Sequence, residues 1–408
     1  LNANLAEKEM RSREHKPVVL TTVPYYLPGF KGGGKLITVR NLVAALSSQF
    51  QFKVLTADRD LGDAQSYEGI PPNQWVTSGD CEIFYADSRR GSLQSIREQL
   101  CRTDYDVLHL NTVFSRPFGI VPLLLRRFGR IARRPTVIAP RGELAPGAVA
   151  IKSGRKKSFL AVARGFGLFD GVMWQASGDE EAREIRSIFG SGARIAIAAD
   201  LLSAEYQSWR SSQYRKYPGQ LDIVFLSRIT PKKNLHLAIE ALRGLDGDIT
   251  FRIVGPIDDS QYWVRCRKLI AILGSNIRID YSGPIATSEV GNCFGRHGLF
   301  FLPTANENFG CVILEALLAG CPVLISDQTP WRDLAEKGVG WDIPLSRPDL
   351  IRATLQHCIA MDAQSHRSMS NRAREFALDY VARDDSATRN AAMFHWVLGE
   401  HPTTLVNA

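Results

Sequence analysis

From Pro17 onward, short apolar runs alternate with stretches whose apolar positions recur every three or four residues. This is the pattern of parallel strands joined by helical crossovers. In the first half it predicts strands at Val18–Thr22, Phe52–Leu55, Glu82–Tyr85, Val107–Leu110, Thr136–Ala139, Gly171–Trp174 and Ile195–Ala198. Helices are predicted near Lys35–Ser47, Ser92–Cys101, Pro117–Arg127, Ser153–Gly165 and Asp179–Phe189. The alternation pauses over Leu201 to Gln220, a polar stretch with Ser211-Ser212 and Pro218-Gly219 that reads as an interdomain linker. A second series follows, with strands Asp222–Leu226, Thr250–Val254, Ile277–Tyr281, Leu299–Leu302 and Val323–Ile325. Its helices are expected at Leu235–Leu245, Tyr262–Leu273, Ser288–Phe294 and Cys311–Ala319. Three further helices, near Asp349–Ala360, His366–Tyr380 and Ala387–Leu398, end the pattern. The reading is therefore α/β, with two Rossmann-like, doubly wound domains facing across a cleft. Its boundaries are 1–200, a linker at 201–220, 221–380, and a C-terminal helix in 381–408 that packs back on the first domain.

A length of 408 residues exceeds one ordinary core and suits two domains. No apolar run approaches the roughly 18 residues needed to cross a bilayer, and Leu1 to Lys16 lacks the apolar segment of a secretory signal. The 7 cysteines are scattered and form no C-x-x-C pair, which points to a reducing, cytoplasmic setting. The net charge of +8 is concentrated: residues 89–164 hold 16 Lys and Arg against 4 acids. That patch, with Arg126-Arg127, Arg130, Arg133-Arg134 and Arg155-Lys156-Lys157, suits an anionic membrane surface, a phosphorylated acceptor or nucleic acid.

Two motifs carry candidate chemistry. Glu307 and Glu315 flank an Asn308-Phe309-Gly310-Cys311 turn between a strand and a helix. Glu307 falls at the strand's carboxyl end, where open α/β sheets bind ligands, and Gly310 allows close backbone approach. Arg228 follows the first strand of the second series and Lys233 precedes its helix, so the two cations suit a diphosphate. The pairs Asp58-Arg59-Asp60, Asp104-Tyr105-Asp106 and Asp246-Gly247-Asp248 lack an accompanying ligand set, and His109, His297 and His357 lack metal-ligand spacing; no metal is expected.

Arg228-x4-Lys233 followed by Glu307-x7-Glu315 resembles the retaining glycosyltransferases of family 4, which have the two-Rossmann GT-B fold. The resemblance extends to Tyr25 through Gly34, similar to the family's glycine loop, and to Ala176 through Glu181, similar to its Ser-x-x-Glu element. Ile253-Val254-Gly255-Pro256 and Tyr281-Ser282-Gly283-Pro284-Ile285 resemble the loops beside the nucleotide base. The resemblance implies a nucleoside diphosphate sugar as substrate, with no cofactor. Glu315 would bind ribose hydroxyls and Glu307 the transferred sugar. Arg228 and Lys233 would hold the diphosphate, with Gly33, Gly34 and the backbone near Asn308, Phe309, Gly310 and Cys311 completing the pocket. Gly255, Pro256 and Ile285 would flank the base.

The chain also departs from the family. Where many members have a histidine near the reacting carbon, it reads Ala139-Pro140-Arg141-Gly142-Glu143, so Arg141 or Glu143 takes that acceptor-side place. Ala198-Ala199-Asp200-Leu201 replaces Asn-Gly-Val-Asp, Ser227 replaces the glycine before the arginine, and Asn234 the one after the lysine. The implied reaction transfers a hexose-type sugar to a glycan or lipid-linked acceptor in cell-surface polysaccharide synthesis. The first domain would bind the acceptor, with peripheral contact to an anionic membrane and no nucleic acid. A sugar-nucleotide epimerase or phosphorylase-like enzyme, and a catalytically lapsed sugar-nucleotide-binding protein, remain open alternatives.

Overall fold

A computed structural model describes residues 16–88, 92–145, 153–203, 205–206, 209 and 212–400. The N-terminal residues 1–15, Arg89, Arg90 and Lys152 of the basic segment, and Ser211 of the expected linker lie outside them. Contacts divide the chain into two units, Leu1–Leu201 with Asp385–Ala408, and Leu202–Asp384.

The first unit is built on an eight-stranded sheet ordered β3-β4-β2-β1-β5-β6-β7-β8. Its strands are β1 (Val18–Thr22), β2 (Gln51–Ala57), β3 (Trp75–Ser78), β4 (Cys81–Ala86), β5 (Val107–Leu110), β6 (Thr136–Ile138), β7 (Met173–Ala176) and β8 (Ile195–Ile197). All neighbours are parallel except β3, which pairs antiparallel with β4 at the edge. Helices α1 (Gly34–Leu46), α2 (Ser92–Arg102), α3 (Val121–Arg127), α4 (Ser153–Gly165) and α5 (Asp179–Phe189) cover it. The near-continuous burial of β1, β5 and β7 is what strands covered on both faces require.

The second unit holds six parallel strands in the order β11-β10-β9-β12-β13-β14. These are β9 (Gln220–Leu226), β10 (Asp248–Val254), β11 (Ile277–Gly283), β12 (Leu299–Leu302), β13 (Val323–Ser326) and β14 (Gly340–Ile343). Helices α6 (Leu235–Leu242), α7 (Ser260–Ile270), α8 (Thr287–Gly295), α9 (Cys311–Leu318), α10 (Pro348–Ala360) and α11 (Ala363–Ala382) accompany them. Counted from β9 the order is third, second, first, fourth, fifth, sixth, the dinucleotide-fold arrangement whose direction reverses between β9 and β12. The first unit reverses in the same way between β1 and β5.

Several boundaries differ from the sequence reading. Strand β7 begins at Met173, because Gly171 has φ 67° and belongs to the preceding turn. The predicted helix over 117–127 opens with a π-helical turn, Arg116–Ile120, before α3. Strands β3 and β14 had no prediction. Of the stretch 201–220, read as a linker, the described residues from Leu202 onward belong to the second unit. Tyr206 is buried in its core, Trp209 packs against that core, and the Tyr214 hydroxyl meets the Asp222 amide at 3.3 Å. Lys216 fixes the end of this stretch by donating to the carbonyls of Tyr217, Gln220 and Ile359.

The last helix, α12 (Ser386–Val397), belongs to the first unit. Phe394 packs edge-on against Phe50, Phe52 and His109. Beneath it runs a buried polar chain: His109 Nε2 meets Gln175 Oε1 at 3.1 Å, Gln175 Nε2 donates to Asn390 Oδ1 at 2.9 Å, and Asn390 Nδ2 donates to Ala199 O at 2.9 Å. Satisfied in this way, buried amides cost little and fix the helix in one register.

Burial, and then the charge of Arg141, push the His109 imidazole down from 6.5 to about 3. An unfolded imidazole takes its proton near pH 6.5, whereas the folded one resists until far lower. Its contribution to stability is therefore complete above pH 6.5 and declines as pH falls from there toward 3. Urea unfolding of the full chain at pH 7 and pH 5 is expected to show a smaller loss of stability on acidification for His109→Gln than for the wild type. Equal losses in the two proteins would contradict this role.

Candidate active site

The reversal point of the second sheet gathers the first group of predicted residues. Lys233 ends a short 3-10 turn (Pro231–Lys233) after β9, and Glu307 lies in the loop after the neighbouring β12. The Lys233 ammonium is hydrogen-bonded directly to Glu307 Oε1, and the two side chains retain only 12% and 14% of their exposure. The two loops are sewn together by backbone. The Ala305 amide donates to Lys232 O at 2.8 Å, and the Thr304 hydroxyl lies within reach of the same carbonyl. From the other side, Ser326 Oγ donates to Thr304 O and the Glu307 amide to Gln328 O. The cation and the carboxylate are thus positioned by the backbone of the loops that carry them.

Gly310, with φ 75° and ψ 55°, turns the chain into α9, and no side chain caps that helix. A Cβ at this position would lie 2.8 Å from Ile313 Cδ1 in a conformation that L side chains rarely adopt. The first-turn N–H groups, led by Cys311, form the kind of helix start that accepts an anion. Phe309 is held beneath by Trp331, whose Nε1 donates to Phe309 O at 2.6 Å. Asn308 Nδ2 and Asn306 Oδ1 are buried without a protein partner. Glu315 follows one turn into α9, is 8% exposed, and accepts a 2.7 Å hydrogen bond from the Tyr206 hydroxyl.

Arg228 follows β9 and pairs with Asp258 at 2.9 Å, on the loop after β10. The same loops are joined by the Ile229–Ile257 bridge and by the Ile229 amide on Pro256 O. Gly255 is compulsory here: its φ is 138° and a Cβ would fall 2.0 Å from Ser227 O. Ile285, beyond β11, packs partly buried on the core of the same unit. Ser227 stays out of the left-handed region, so its place requires no glycine, whereas Asn234 adopts φ 53° and ψ 37°. Asparagine is among the few residues that visit this conformation readily, which accounts for its substitution there.

The remaining candidates lie in the first unit. Gly33 caps α1 with φ 70°, while a Cβ at Gly34 would meet nothing within 4 Å. The loop before them is organised by Asp60, whose Oδ2 accepts from the Phe30 and Lys31 amides. Glu143 receives the Lys35 ammonium and the Thr112 hydroxyl on Oε1, and the Val113 and Phe114 amides on Oε2. Burial opposes its charge, but Lys35 and these donors prevail and hold its carboxyl below the usual range. Arg141, at φ 52°, is bonded to Asp200 and to Asn111 Oδ1. Two departures from the family pattern, the arginine and the Ala198–Leu201 junction, therefore meet in one ion pair. In the Ser-x-x-Glu element it is Glu181, four residues past Ser177, that accepts from Ser177 and from the Gly142 amide.

The paired acids also have partners. Arg59, Ser66 and Ser88 outweigh burial and hold Asp58 at about 2, and Asp106 accepts from the Val18 amide. Among the described residues no group of three or more His, Cys, Asp or Glu could hold a metal ion. The residues missed by sequence reasoning are Tyr206, Asp258 and Lys35. Lys35 was signalled by its place directly after the glycine loop, but the partners of Glu315 and Arg228 lie 109 and 30 positions away and left no local mark.

Residues 210–376 match the family described as Glycosyl transferases group 1. A Salmonella typhimurium protein whose name assigns it to colanic acid biosynthesis as a glycosyltransferase, WcaL, is 30% identical over 173 residues, 39% of this chain and 41% of the relative. Phosphatidyl-myo-inositol mannosyltransferase of Mycobacterium tuberculosis is 30% identical over 145 residues, 34% of this chain and 37% of the relative. The matched stretches thus span about two fifths of these relatives' own lengths. Among solved structures, sucrose-phosphate synthase from Thermosynechococcus elongatus superposes with a TM-score of 0.70 at 16% identity, covering 94% of this chain and 100% of that one. Anabaena HepE in complex with UDP and glucose gives 0.64 at 17% identity with the same coverage. These likenesses establish the two-Rossmann, GT-B fold over nearly the whole chain.

The strain at position 234 is testable by urea unfolding. Asn234→Gly is expected to leave stability within a few tenths of a kcal/mol, and Asn234→Val to cost about 1–2 kcal/mol, the price of the left-handed region for an L residue. Equal stability of the two variants would contradict the geometry.

Proposed function

We propose that the protein, whose residues 210–376 match the group 1 glycosyl transferases and whose chain has the GT-B fold, is a retaining glycosyltransferase. It moves a hexose-type sugar from a nucleoside diphosphate sugar to a hydroxyl of a glycan or lipid-linked acceptor. The observation that carries this reading is the Lys233–Glu307 pair at the reversal of the second sheet, with Glu315 one turn into α9. A cation and a carboxylate held against each other can exchange that pairing for a ligand with an anionic end and a hydroxylated end. A sugar diphosphate has both.

In this reading Lys233 and Arg228 hold the diphosphate and offset the charge it gains as the anomeric carbon–oxygen bond breaks. The amides at the start of α9, from Asn308 through Cys311, add donors to the same oxygens. Glu307, released from Lys233, accepts hydrogen bonds from the transferred sugar, and Glu315 accepts from the ribose diol, a pairing for which a carboxylate is suited. Gly255, Pro256 and Ile285 border the base. Two fixed cations perform the charge neutralisation for which other transferases use a metal, so the reaction proceeds without one.

Bond formation on the face vacated by the leaving phosphate gives retention. That phosphate takes the acceptor proton, since Glu143, the carboxylate of the acceptor-side segment, already receives four donors. Within the first unit, Gly33 and Gly34 serve the donor, and Arg141 and Glu143 serve the acceptor. Arg141 and Glu143 act there through the loops they tie. The names of the curated relatives, colanic acid biosynthesis and phosphatidylinositol mannosylation, support an acceptor in cell-surface polysaccharide or glycolipid synthesis.

Transfer from radiolabelled nucleoside diphosphate sugars is expected to fall by about 100-fold or more in Lys233→Ala, the scale lost when a transition-state charge partner is removed, and likewise in Glu315→Ala, where the ribose diol and the Tyr206 hydroxyl lose their carboxylate. Turnover close to wild type in either variant would overturn the assignment. Release of free sugar phosphate or of an epimer without acceptor would favour the phosphorylase or epimerase alternative.

A further inference from the structure

The carboxylate assigned to the ribose does not stand alone in the second unit. Glu315 lies on α9 among Ile313, Leu314, Ala316, Leu317 and Leu318, all buried, and is itself 8% exposed. A carboxylate so placed has lost most of its water and needs hydrogen-bond donors to hold its charge. The Tyr206 hydroxyl is such a donor, 2.7 Å from Oε1, on a side chain only 3% exposed. A hydroxyl on a carboxylate makes one of the stronger hydrogen bonds. Because a phenol carries its oxygen on a rigid ring, the bond fixes the direction of the carboxylate as well.

Tyr206 comes from the stretch between the two sheets, outside any strand or βα loop, and its position is built in from several sides. Its ring meets the Trp209 indole edge-on at 5.1 Å. The Trp209 carbonyl accepts from Arg374 Nη2 at 2.5 Å, and Nη1 of the same guanidinium donates to Leu318 O, in the last turn of the helix that carries Glu315. Trp209 also fits against Gly291 of α8, where a Cβ would lie 2.8 Å from the indole. One arginine of α11 thus ties the segment bearing the hydroxyl to the helix bearing the carboxylate. Packing alone would be served by phenylalanine at position 206. The hydroxyl is the part that packing does not require.

We propose that Tyr206 is a positioning residue of the sugar-nucleotide site, holding the Glu315 carboxylate in the orientation that receives the ribose diol. This rests on the reading of Glu315 as the ribose acceptor. A diol presents two O–H donors side by side, and a carboxylate receives both well only when its plane is aligned with them. With Oε1 bonded to the phenol, that plane is set by the fold. The ribose is bound alike in the ground state and the transition state, so Tyr206 acts on donor affinity and leaves the rate of the bound complex alone.

The test measures, by calorimetry, binding of uridine, guanosine and adenosine diphosphates and of their 2′,3′-dideoxy counterparts to the full chain. The wild type is expected to prefer the hydroxylated form of the diphosphate it binds by about tenfold or more, and Tyr206→Phe to shrink that preference about fivefold. The dideoxy form should bind Tyr206→Phe as it binds the wild type, which also shows that the variant is folded. Glu315→Gln should lose the preference too, and adding Tyr206→Phe to it should change little further, as for two residues acting through one contact. In transfer assays Tyr206→Phe should raise the donor KM and leave kcat within about twofold. An equal loss of both nucleotide forms in Tyr206→Phe, a preference that stays at the wild-type ratio, or effects of the two substitutions that simply add would overturn the proposal. A wild type that binds none of the diphosphates, or binds hydroxylated and dideoxy forms alike, would overturn the ribose reading of Glu315 and this role with it. With the wild-type preference intact, only Tyr206 is at stake.

Discussion

The ion pair between Lys233 and Glu307 is the interaction on which the candidate site depends. It exists because β9 and β12 are neighbours in the sheet while their following helices start on either side of the reversal, leaving the two loops to face one another. Backbone bonds between Ala305 and Lys232 bring the loops together without help from either charge. A largely buried pair of this kind contributes little net stability, since each charge has lost much of its water. Its consequence is positional: both groups are fixed at the carboxyl ends of neighbouring central strands, where the proposed reaction would exchange each for a group of its substrate.

Around that pair, the glycines and their substitutes mark where backbone has to pass close to backbone. Gly255 runs against Ser227 O and Gly310 opens α9, so the loops after β9, β10 and β12 are shaped by what cannot be there. Asn234 supplies the left-handed turn that sends the chain from Lys233 into α6. In the first unit the corresponding constraint is polar. His109, Gln175 and Asn390 form a buried chain from the centre of the sheet to α12, and Arg141 with Asp200 ties the segment after β6 to the end of the unit.

Most of the regular elements were legible because parallel strands covered on both faces are apolar along their whole length, and β1, β5 and β12 match their predicted bounds. Strand β3 was not, since its pattern is half exposed and its pairing with β4 is antiparallel at an edge. The stretch 201–220 looked like a linker because its polar residues dominate the count, while its described aromatic residues are held by partners far along the chain, Tyr206 by Glu315 and Tyr214 by His366. For the site, the identity of the charged residues was readable from spacing, and their partners were not. Glu315 finds Tyr206, Arg228 finds Asp258 and Glu143 finds Lys35 through the topology of the sheets.

The central claim is that the loops after β9 and β12 hold a nucleoside diphosphate through Lys233. Thermal unfolding of the full chain with a panel of nucleoside diphosphates, in the presence of a chelator, tests it most directly. A ligand at about 100 times its Kd adds about 2.7 kcal/mol to the native state. At least one diphosphate of the panel is therefore predicted to raise Tm by several degrees, and to raise it far less in Lys233→Ala. A panel in which no diphosphate moves Tm at millimolar concentration, or a shift of the same size in Lys233→Ala, would contradict the account.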